Sequence, residues 1–134
     1  MTASIYKIGA IIIKNKRILV VKKRIPGRHE YILPGGKLEG PEEPLEGLKR
    51  ELREELNVEL VDPQWFGHFQ EVATFENVPL IMDVYIVSIT SDPNPQGEIQ
   101  ECLWVDRDYH QHGITLGNAL ERQIIPELMK RGII

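Results

Sequence analysis

One segment, residues 44–56, constrains the fold more than any other because it must form a helix with two unlike faces. Pro44 suits the first turn of a helix and Asn57 suits a left-handed stop. At about 100° per residue, an apolar stripe roughly 80° wide is formed by Leu45, Leu48, Leu52 and Leu56. Three carboxylates cluster on another side of the helix, within about 100° of each other: Glu51, Glu54 and Glu55.

The clustered carboxylates need a compensating interaction. Like charges at this spacing cost a few tenths of a kcal/mol per pair, and Gly47 on the same face costs about 1 kcal/mol relative to alanine. Mg²⁺, which prefers oxygen ligands, would offset these costs, and Gly47 would leave room for a metal, a water or a neighbouring loop. The helix alone favours a solvated face with pairs such as Arg50–Glu54. The glycine- and glutamate-rich loop before it, residues 34–43, shifts the balance towards a metal site.

The rest of the chain alternates short strand patterns with one more helix. A hairpin is predicted at 5–13 and 17–23, and further strands at 31–33, 65–75, 79–88 and 101–105. A second helix is predicted from Thr115 to about Arg131, with Pro126 disturbing its middle. Mixed strands with two helices predict a sheet covered by helices, and 134 residues suit a single domain spanning 1–134.

Charge is distributed unevenly along the chain. Residues 1–29 carry eight of the sixteen Lys and Arg and no Asp or Glu, so this part is +8 and the remainder is -12. A basic segment of this kind indicates either an anionic ligand or solvated strand edges, and the pattern does not separate the two.

Composition excludes several other classes of protein. The apolar runs fall far short of the ~20 residues that cross a bilayer, so no membrane partner is expected. Lysines interrupt the first apolar run before any cleavage site, which argues against a secretory signal. The single cysteine, Cys102, rules out an internal disulfide or a cysteine-based metal site, suits a reducing cytoplasm, and is expected to be a small buried hydrophobe.

The acidic helix and its loop together resemble the signature of the Nudix hydrolase family. Gly36 is followed after five residues by Glu42, and after seven more by Arg50-Glu-Leu-Arg-Glu-Glu-Leu-Asn-Val58. Every fixed position of the family pattern is matched except Asn57, which stands where the family has glycine. Asn tolerates positive φ better than most residues, so the turn is expected to survive. The stretch from Glu98 to Val105 is similar to a Glu-x-x-Glu-x-x-Trp-Val stretch often seen downstream.

The resemblance implies an α/β/α sandwich around a mixed sheet. It also implies hydrolysis of a diphosphate linkage in a nucleoside diphosphate joined to another group, with Mg²⁺ or Mn²⁺. By this likeness the metal ligands are the Gly36 carbonyl, Glu51, Glu54 and Glu55. Arg50 would hold the glutamates by charge-assisted hydrogen bonds, and Glu42 would support the loop. The partner is a small nucleotide and not a nucleic acid. Homodimers are common in the family, so a homodimer is expected.

A carboxylate must accept the proton of the attacking water. Glu54 is one candidate, and Glu98 or Glu101, on the loop before the last strand, is another. Both of the latter are also candidates for further metal ligands, with simple exposure as the equal alternative.

Other polar and aromatic residues carry weaker signals. Lys23 and Arg28 are the candidates for clasping substrate phosphates, with plain surface charge as the alternative. His110 and His112 resemble a metal pair, but without a third ligand an exposed loop is favoured. Core packing is favoured over stacking on a base for the aromatic residues Trp65, Phe75 and Trp104.

Substrate identity is the least constrained property. Ala73 and Thr74 stand where ADP-ribose hydrolases tend to have Pro, and Phe75 and Glu76 stand where dinucleoside-polyphosphate hydrolases tend to have Tyr. Elimination therefore favours nucleoside triphosphates, including oxidised ones, over ADP-ribose, dinucleoside polyphosphates or nucleotide sugars. A non-catalytic Nudix domain that senses a nucleotide is the alternative from another class, and the intact glutamates argue against it.

Overall fold

The computed structural model describes residues 4–134. Within these residues the strands are β1 Ile5–Lys14, β2 Arg17–Lys23, β3 Gly35–Gly36, β4 Leu60–Val72, β5 Pro79–Ile89 and β6 Ile99–Val105. The helices are α1 Pro44–Leu56, a 3₁₀ turn Tyr109–His112, a π-helical turn Leu120–Ile124 and α2 Ile125–Lys130.

The six strands form one mixed sheet in the order β4-β5-β1-β2-β6, with β3 paired to β1. Only β1 and β5 are parallel. The predicted hairpin of β1 and β2 is present, and its turn residues Asn15 and Lys16 have φ of 52° and 60°, as primed hairpin turns require. These two strands pair only beside the turn, at Ile13–Ile18 and Lys14–Arg17, and then separate.

Residues 31–36 fill the gap between β1 and β2. The predicted strand at 31–33 is wrong, because Tyr31 and Ile32 form only isolated bridges and the regular pairing falls on β3. Ile32 bridges Val21 of β2, whereas the Tyr31 N–H donates to the Thr115 carbonyl at 2.9 Å. Each of these two residues forms a single bridge, so no continuous ladder develops on either side, and the regular pairing occurs at β3, in the middle of the sheet beside α1.

Each face of the sheet is covered by helix. Alternate residues of a strand face opposite sides, so Ile8, Ala10 and Ile12 of β1 face α1 while Ile11 faces away. On the first side the buried helical residues are Leu48, Leu52 and Leu56. On the second side they are Leu120, Ile124, Ile125 and Leu128. This arrangement confirms the predicted α/β/α sandwich.

The C-terminal helix begins later than predicted. Residues 115–117 are used for pairing with Tyr31, whose carbonyl accepts the Gly117 N–H at 2.8 Å, so helix starts at Asn118 and not at Thr115. The disturbance expected from Pro126 is present. The Ile125 N–H donates to the carbonyl of Leu120, five residues back, which makes the preceding turn π-helical.

Further differences concern strand ends and aromatic residues. β4 begins at Leu60, not 65, and ends at Val72, and β6 begins at Ile99, so Glu101 lies in a strand and not on a loop. Trp65 is 56 % exposed, so the prediction of core packing is wrong for it. It lies on an edge strand beside a bulge, and its ring and that of Tyr85 are edge-to-face, with 5.4 Å between centroids. Trp104 packs against the α1-side core.

Three remaining side chains behave nearly as expected. His110 and His112 lie exposed on the 3₁₀ turn, and His110 approaches Glu121 at 3.4 Å. Cys102 is half-buried, and burial raises the pKa of its thiol. Among residues 4–134, the helices are too short and too polar to cross a bilayer.

Candidate active site

The three acidic residues of α1 are buried to different degrees, according to their angular distance from the leucine stripe. Around the helix axis, Glu55 lies about 20° from the nearest leucine, Glu51 about 60° and Glu54 about 120°. Their exposures follow that order, at 2 %, 9 % and, for the Glu54 side chain, 57 %. The acidic cluster (Glu51, Glu54 and Glu55) therefore reaches from the protein interior to solvent.

Glu55 is a buried carboxylate in which, among residues 4–134, one of the two oxygens has a hydrogen-bond partner. Its Oε1 accepts the Gly35 N–H at 2.9 Å, while its Oε2 is buried without a hydrogen-bond partner. Burial raises the pKa of Glu55 to about 8; the negative charges of Glu51 and Glu98 add to the rise, and the Gly35 N–H and Lys23 oppose it. A buried oxygen of this kind gains most from a cation.

Glu51 approaches the backbone of β3 so closely that a side chain at Gly36 would displace its carboxylate. A Cβ atom on Gly36 would lie 2.7 Å from the carboxyl carbon of Glu51. Burial raises the pKa of Glu51, and the hydrogen bond from Arg50, 3.0 Å from Nη1 to Oε1, opposes that rise. The carboxylate and the glycine backbone are therefore directly adjacent.

Arg50 joins the acidic helix to the preceding loop. It binds Glu42 bidentately, at 3.1 Å from Nε to Oε2 and 2.7 Å from Nη2 to Oε1. Its Nη1 also donates to Glu54 at 3.2 Å, as it does to Glu51, and Nη2 donates to the Lys37 carbonyl at 3.1 Å. The pairing raises the pKa of Arg50 and lowers that of Glu42. One guanidinium thus orders loop and helix together.

Gly47 provides space for that loop. A Cβ atom there would collide with the Leu38 side chain and lie 2.9 Å from Oε1 of Glu42. The sequence leaves open whether Gly47 makes room for a metal, a water or a neighbouring loop. In the structure the loop occupies this space, because the missing side chain lets Glu42 reach Arg50.

The acidic cluster fits a divalent metal ion, although its oxygens are not yet gathered around one point. Within residues 4–134, no three His, Cys, Asp or Glu side chains form a ready metal-binding group. Arg50 accounts for this, because it draws Glu51 and Glu54 towards itself. The unpartnered Oε2 of Glu55 and the carboxylate of Glu51 against Gly36 nevertheless provide hard oxygen donors of the type that Mg²⁺ and Mn²⁺ prefer.

The two candidate carboxylates near the last strand have different neighbours. Glu98 is close enough to contribute to the raised pKa of both Glu51 and Glu55, and it pairs with Lys23 at 3.5 Å. Glu101 is exposed and accepts a hydrogen bond from the Tyr31 hydroxyl. Burial and this contact raise the pKa of Tyr31 to about 12. The structure therefore brings Glu98 into the electrostatic range of the acidic cluster.

An apolar cavity adjoins the acidic cluster through β3. It encloses about 40 Å³ and opens to solvent, and its lining includes Leu33, Leu80 and Phe75. Lys7 and Lys23 also line it, so two cations stand beside the glycine backbone that Glu51 and Glu55 contact. Sequence analysis missed Lys7 as a site residue, and the available signal was a cation in the interior of the largely apolar strand β1.

Lys7 and Arg28 are both engaged by the turn between β4 and β5. Lys7 pairs with Glu76 at 3.5 Å, and burial lowers the pKa of its ammonium group. The Nη2 of Arg28 donates to the Thr74 carbonyl at 2.6 Å, and its guanidinium lies 5.2 Å from the centre of the Phe75 ring. Phe75, expected in the core, is half-buried at the cavity.

Solved structures with the same fold include three of particular use. The MutT protein of Methanosarcina mazei Go1 is 23 % identical over 98 % of this chain and 96 % of its own, with a TM-score of 0.78. The MutT NUDIX hydrolase of Burkholderia pseudomallei is 24 % identical over 79 % and 85 %, with a TM-score of 0.69. The Francisella tularensis bifunctional NMN adenylyltransferase/ADP ribose pyrophosphatase, complexed with AMP and a Mn ion, is 23 % identical over 98 % and 42 %, with a TM-score of 0.77.

Sequence comparison identifies the family directly. No curated protein matches the chain significantly. The family model of the NUDIX domain matches residues 5–128, which include the acidic helix, β3 and all of the cavity lining. The chain is therefore a member of the Nudix hydrolase family.

Proposed function

We propose that this enzyme hydrolyses a diphosphate linkage in a nucleoside diphosphate derivative, with a divalent metal ion as cofactor and a nucleoside triphosphate, including oxidised forms, as the substrate. The observation that carries the proposal is the buried oxygen of Glu55, unpartnered among residues 4–134, beside an apolar cavity that opens to solvent. Family membership supports the reaction class.

The residues that would hold the metal are the Gly36 carbonyl, Glu51, Glu54 and Glu55. Their oxygens suit Mg²⁺ or Mn²⁺, and the Mn ion in the Francisella tularensis structure supports that choice. When bound, such an ion supplies charge neutralisation for the diphosphate and a lowered pKa for a coordinated water.

The protein residues position the substrate and move the proton. Arg50 and Glu42 hold Glu51 and Glu54 in place. Glu54, exposed at the end of the cluster, accepts the proton of the attacking water, with Glu98 as the second candidate. Lys23 and Lys7, between the cluster and the cavity, attract the phosphates.

The proposal extends to the organisation of the protein. Residues 1–134 act as one Nudix domain, the active form is a homodimer, and the single cysteine suits the cytoplasm. Light scattering after size-exclusion chromatography measures the oligomeric state, and a monomer at working concentration would disprove the dimer.

A screen of phosphate release tests the function. Nucleoside triphosphates, ADP-ribose, dinucleoside polyphosphates and nucleotide sugars are incubated with Mg²⁺, with pyrophosphatase or phosphatase added to reveal the products. We expect the highest kcat/KM for a nucleoside triphosphate. Nucleotide binding without hydrolysis of any compound would instead indicate a sensor. Absence of Mn²⁺ binding by titration would remove the metal-based proposal altogether.

A further inference from the structure

The turn between β4 and β5, residues 73–77, forms one wall of the apolar cavity. The Ala73 N–H donates to the Val78 carbonyl at 2.8 Å, and the Asn77 N–H donates to the Ala73 carbonyl at 3.2 Å, so the turn has a defined shape. Its four consecutive residues from Ala73 to Glu76 line the cavity. The position of this cavity wall (residues 73–77) therefore determines the width of the cavity.

Contacts from distant segments hold the cavity wall. The Asn118 N–H donates to the Thr74 hydroxyl at 2.8 Å from the start of the C-terminal helix. Lys7 of β1 pairs with Glu76 at 3.5 Å. The third contact comes from Arg28 in the loop after β2, whose Nη2 lies 2.6 Å from the Thr74 carbonyl.

Several interactions hold the Arg28 side chain at the cavity wall. Its guanidinium stacks on Phe75 at 5.2 Å, and Glu30 neutralises it at 3.1 Å. Its Nε is buried without a hydrogen-bond partner, a desolvation cost that opposes this placement and that the other contacts must outweigh. Among residues 4–134, those that line the cavity include Phe75 and Thr74 but not Arg28. An arginine bound in this way affects the cavity through its contacts with the lining residues Thr74 and Phe75.

We propose that Arg28 is a positioning residue for the nucleoside end of the substrate and not a phosphate ligand, because it holds Phe75 and Thr74 against the apolar cavity. This inference rests on the proposed function. It replaces the role that the sequence suggested for Arg28, while Lys23, which does line the cavity, keeps the phosphate role.

The two roles of Arg28 differ in the ligands they affect. A residue that binds phosphate strengthens the binding of every phosphate compound. A residue that positions the cavity wall strengthens binding only when a nucleoside occupies the cavity. The experiment compares Arg28→Ala with wild type by calorimetric titration in Mn²⁺, using a nucleoside monophosphate panel and inorganic pyrophosphate as probes. We expect Arg28→Ala to weaken nucleotide binding about tenfold and pyrophosphate binding less than twofold.

Matched variants separate this role from general destabilisation. Phe75→Leu, which removes the ring that Arg28 stacks on, is expected to reproduce the loss for nucleotides alone. Arg28→Lys keeps the cation and is expected to recover part of the affinity. Arg17→Ala removes an exposed cation from the same basic segment and is expected to leave binding unchanged. In steady-state assays Arg28→Ala raises KM and leaves kcat within about twofold, as expected for lost ground-state binding.

The outcomes distinguish this inference from the function on which it rests. Equal loss of pyrophosphate and nucleotide affinity in Arg28→Ala would make Arg28 a phosphate ligand and overturn the inference. Unchanged nucleotide affinity in folded Arg28→Ala and Phe75→Leu would overturn it as well. Failure of wild type to bind any nucleotide in Mn²⁺ would overturn the proposed function and this inference together.

Discussion

The acidic cluster and the apolar cavity adjoin at β3, yet the chain builds them in opposite ways. The cluster, its arginine and its supporting loop all come from one continuous stretch, residues 36–55. The cavity is lined from β1, β2, β5, the turn at 73–77 and the start of the C-terminal helix. The acidic cluster is thus encoded locally, whereas the shape of the cavity depends on contacts between segments far apart in the chain.

The two regions also differ in what stabilises them. In the acidic region, charge-assisted hydrogen bonds from Arg50 hold the side chains, and one carboxylate oxygen is left buried and unpartnered. The cavity is made of apolar side chains and backbone turns, with ion pairs only at its margin. Changes in the first region should therefore affect turnover and pH dependence, and changes in the second should affect affinity.

The largest expected effect is on turnover. Glu54→Gln is expected to lower kcat by about 10²–10⁴-fold, since it removes the proposed proton acceptor. Its melting temperature should stay close to that of wild type, because the Glu54 side chain is 57 % exposed. The control is Glu46→Gln, which changes another exposed glutamate of α1, one that pairs with Lys49. Glu54→Gln with wild-type kcat would transfer the role to Glu98.

The second effect is the pH dependence of the free energy of unfolding in the absence of metal. The pKa of Glu55 is about 8 in the folded protein against 4.5 for the free side chain, so the folded state holds its proton more tightly. The contribution of Glu55 to the free energy of unfolding is fully present below pH 4.5 and is lost as the pH rises through 8. At about 1.4 kcal/mol per pKa unit, the loss is on the order of a few kcal/mol.

Chemical unfolding between pH 5 and 9 in a chelator measures this loss. Glu55→Gln should flatten the dependence, and Mn²⁺ should restore wild-type stability at high pH. Carboxylates whose pKa is lowered, such as Glu42 and Glu59, act in a separate window below pH 4.5. A wild-type profile as flat as that of Glu55→Gln would contradict the buried carboxylate.

The third effect tests the arginine that connects loop and helix. Arg50→Lys is expected to lower the free energy of unfolding by about 2 kcal/mol, because an ammonium group cannot form the bidentate pair with Glu42 while serving Glu51. Arg53→Lys, on the same helix but 57 % exposed and paired with Glu59, is the control and should change stability much less. Equal effects in both variants would refute a special role for Arg50.

The smallest effect is expected at the cavity. A Cβ atom on Gly117 would lie 2.8 Å from the Thr74 hydroxyl oxygen, so Gly117→Ala should displace the cavity wall. We expect KM for nucleotides to rise about threefold with kcat unchanged, the signature of lost uniform binding. Gly36→Ala, which crowds Glu51, should instead lower kcat. If both variants change kcat alone, the division between the two regions is wrong.

The sequence predicted the local elements well and the long-range ones poorly. The helix Pro44–Leu56 was predicted with its observed bounds, and Asn57 ends it at φ 56° as expected for a left-handed stop. Periodicity and turn residues are enough for such elements. The strand at 31–33 and the buried position of Trp65 were predicted wrongly, because backbone pairing with Thr115 and exposure on an edge strand are set by distant segments.

The burial order of the acidic cluster was also available from the sequence, since angular distance from the leucine stripe ranks Glu55, Glu51 and Glu54 correctly. Sequence by itself therefore determined the family and the acidic helix, because these depend on residues close together in the chain. Only the tertiary structure decided that Glu98 approaches the cluster, that Lys7 reaches the cavity, and that Arg28 holds the cavity wall. Those contacts join residues dozens of positions apart, and their geometry depends on how the sheet opens between β1 and β2.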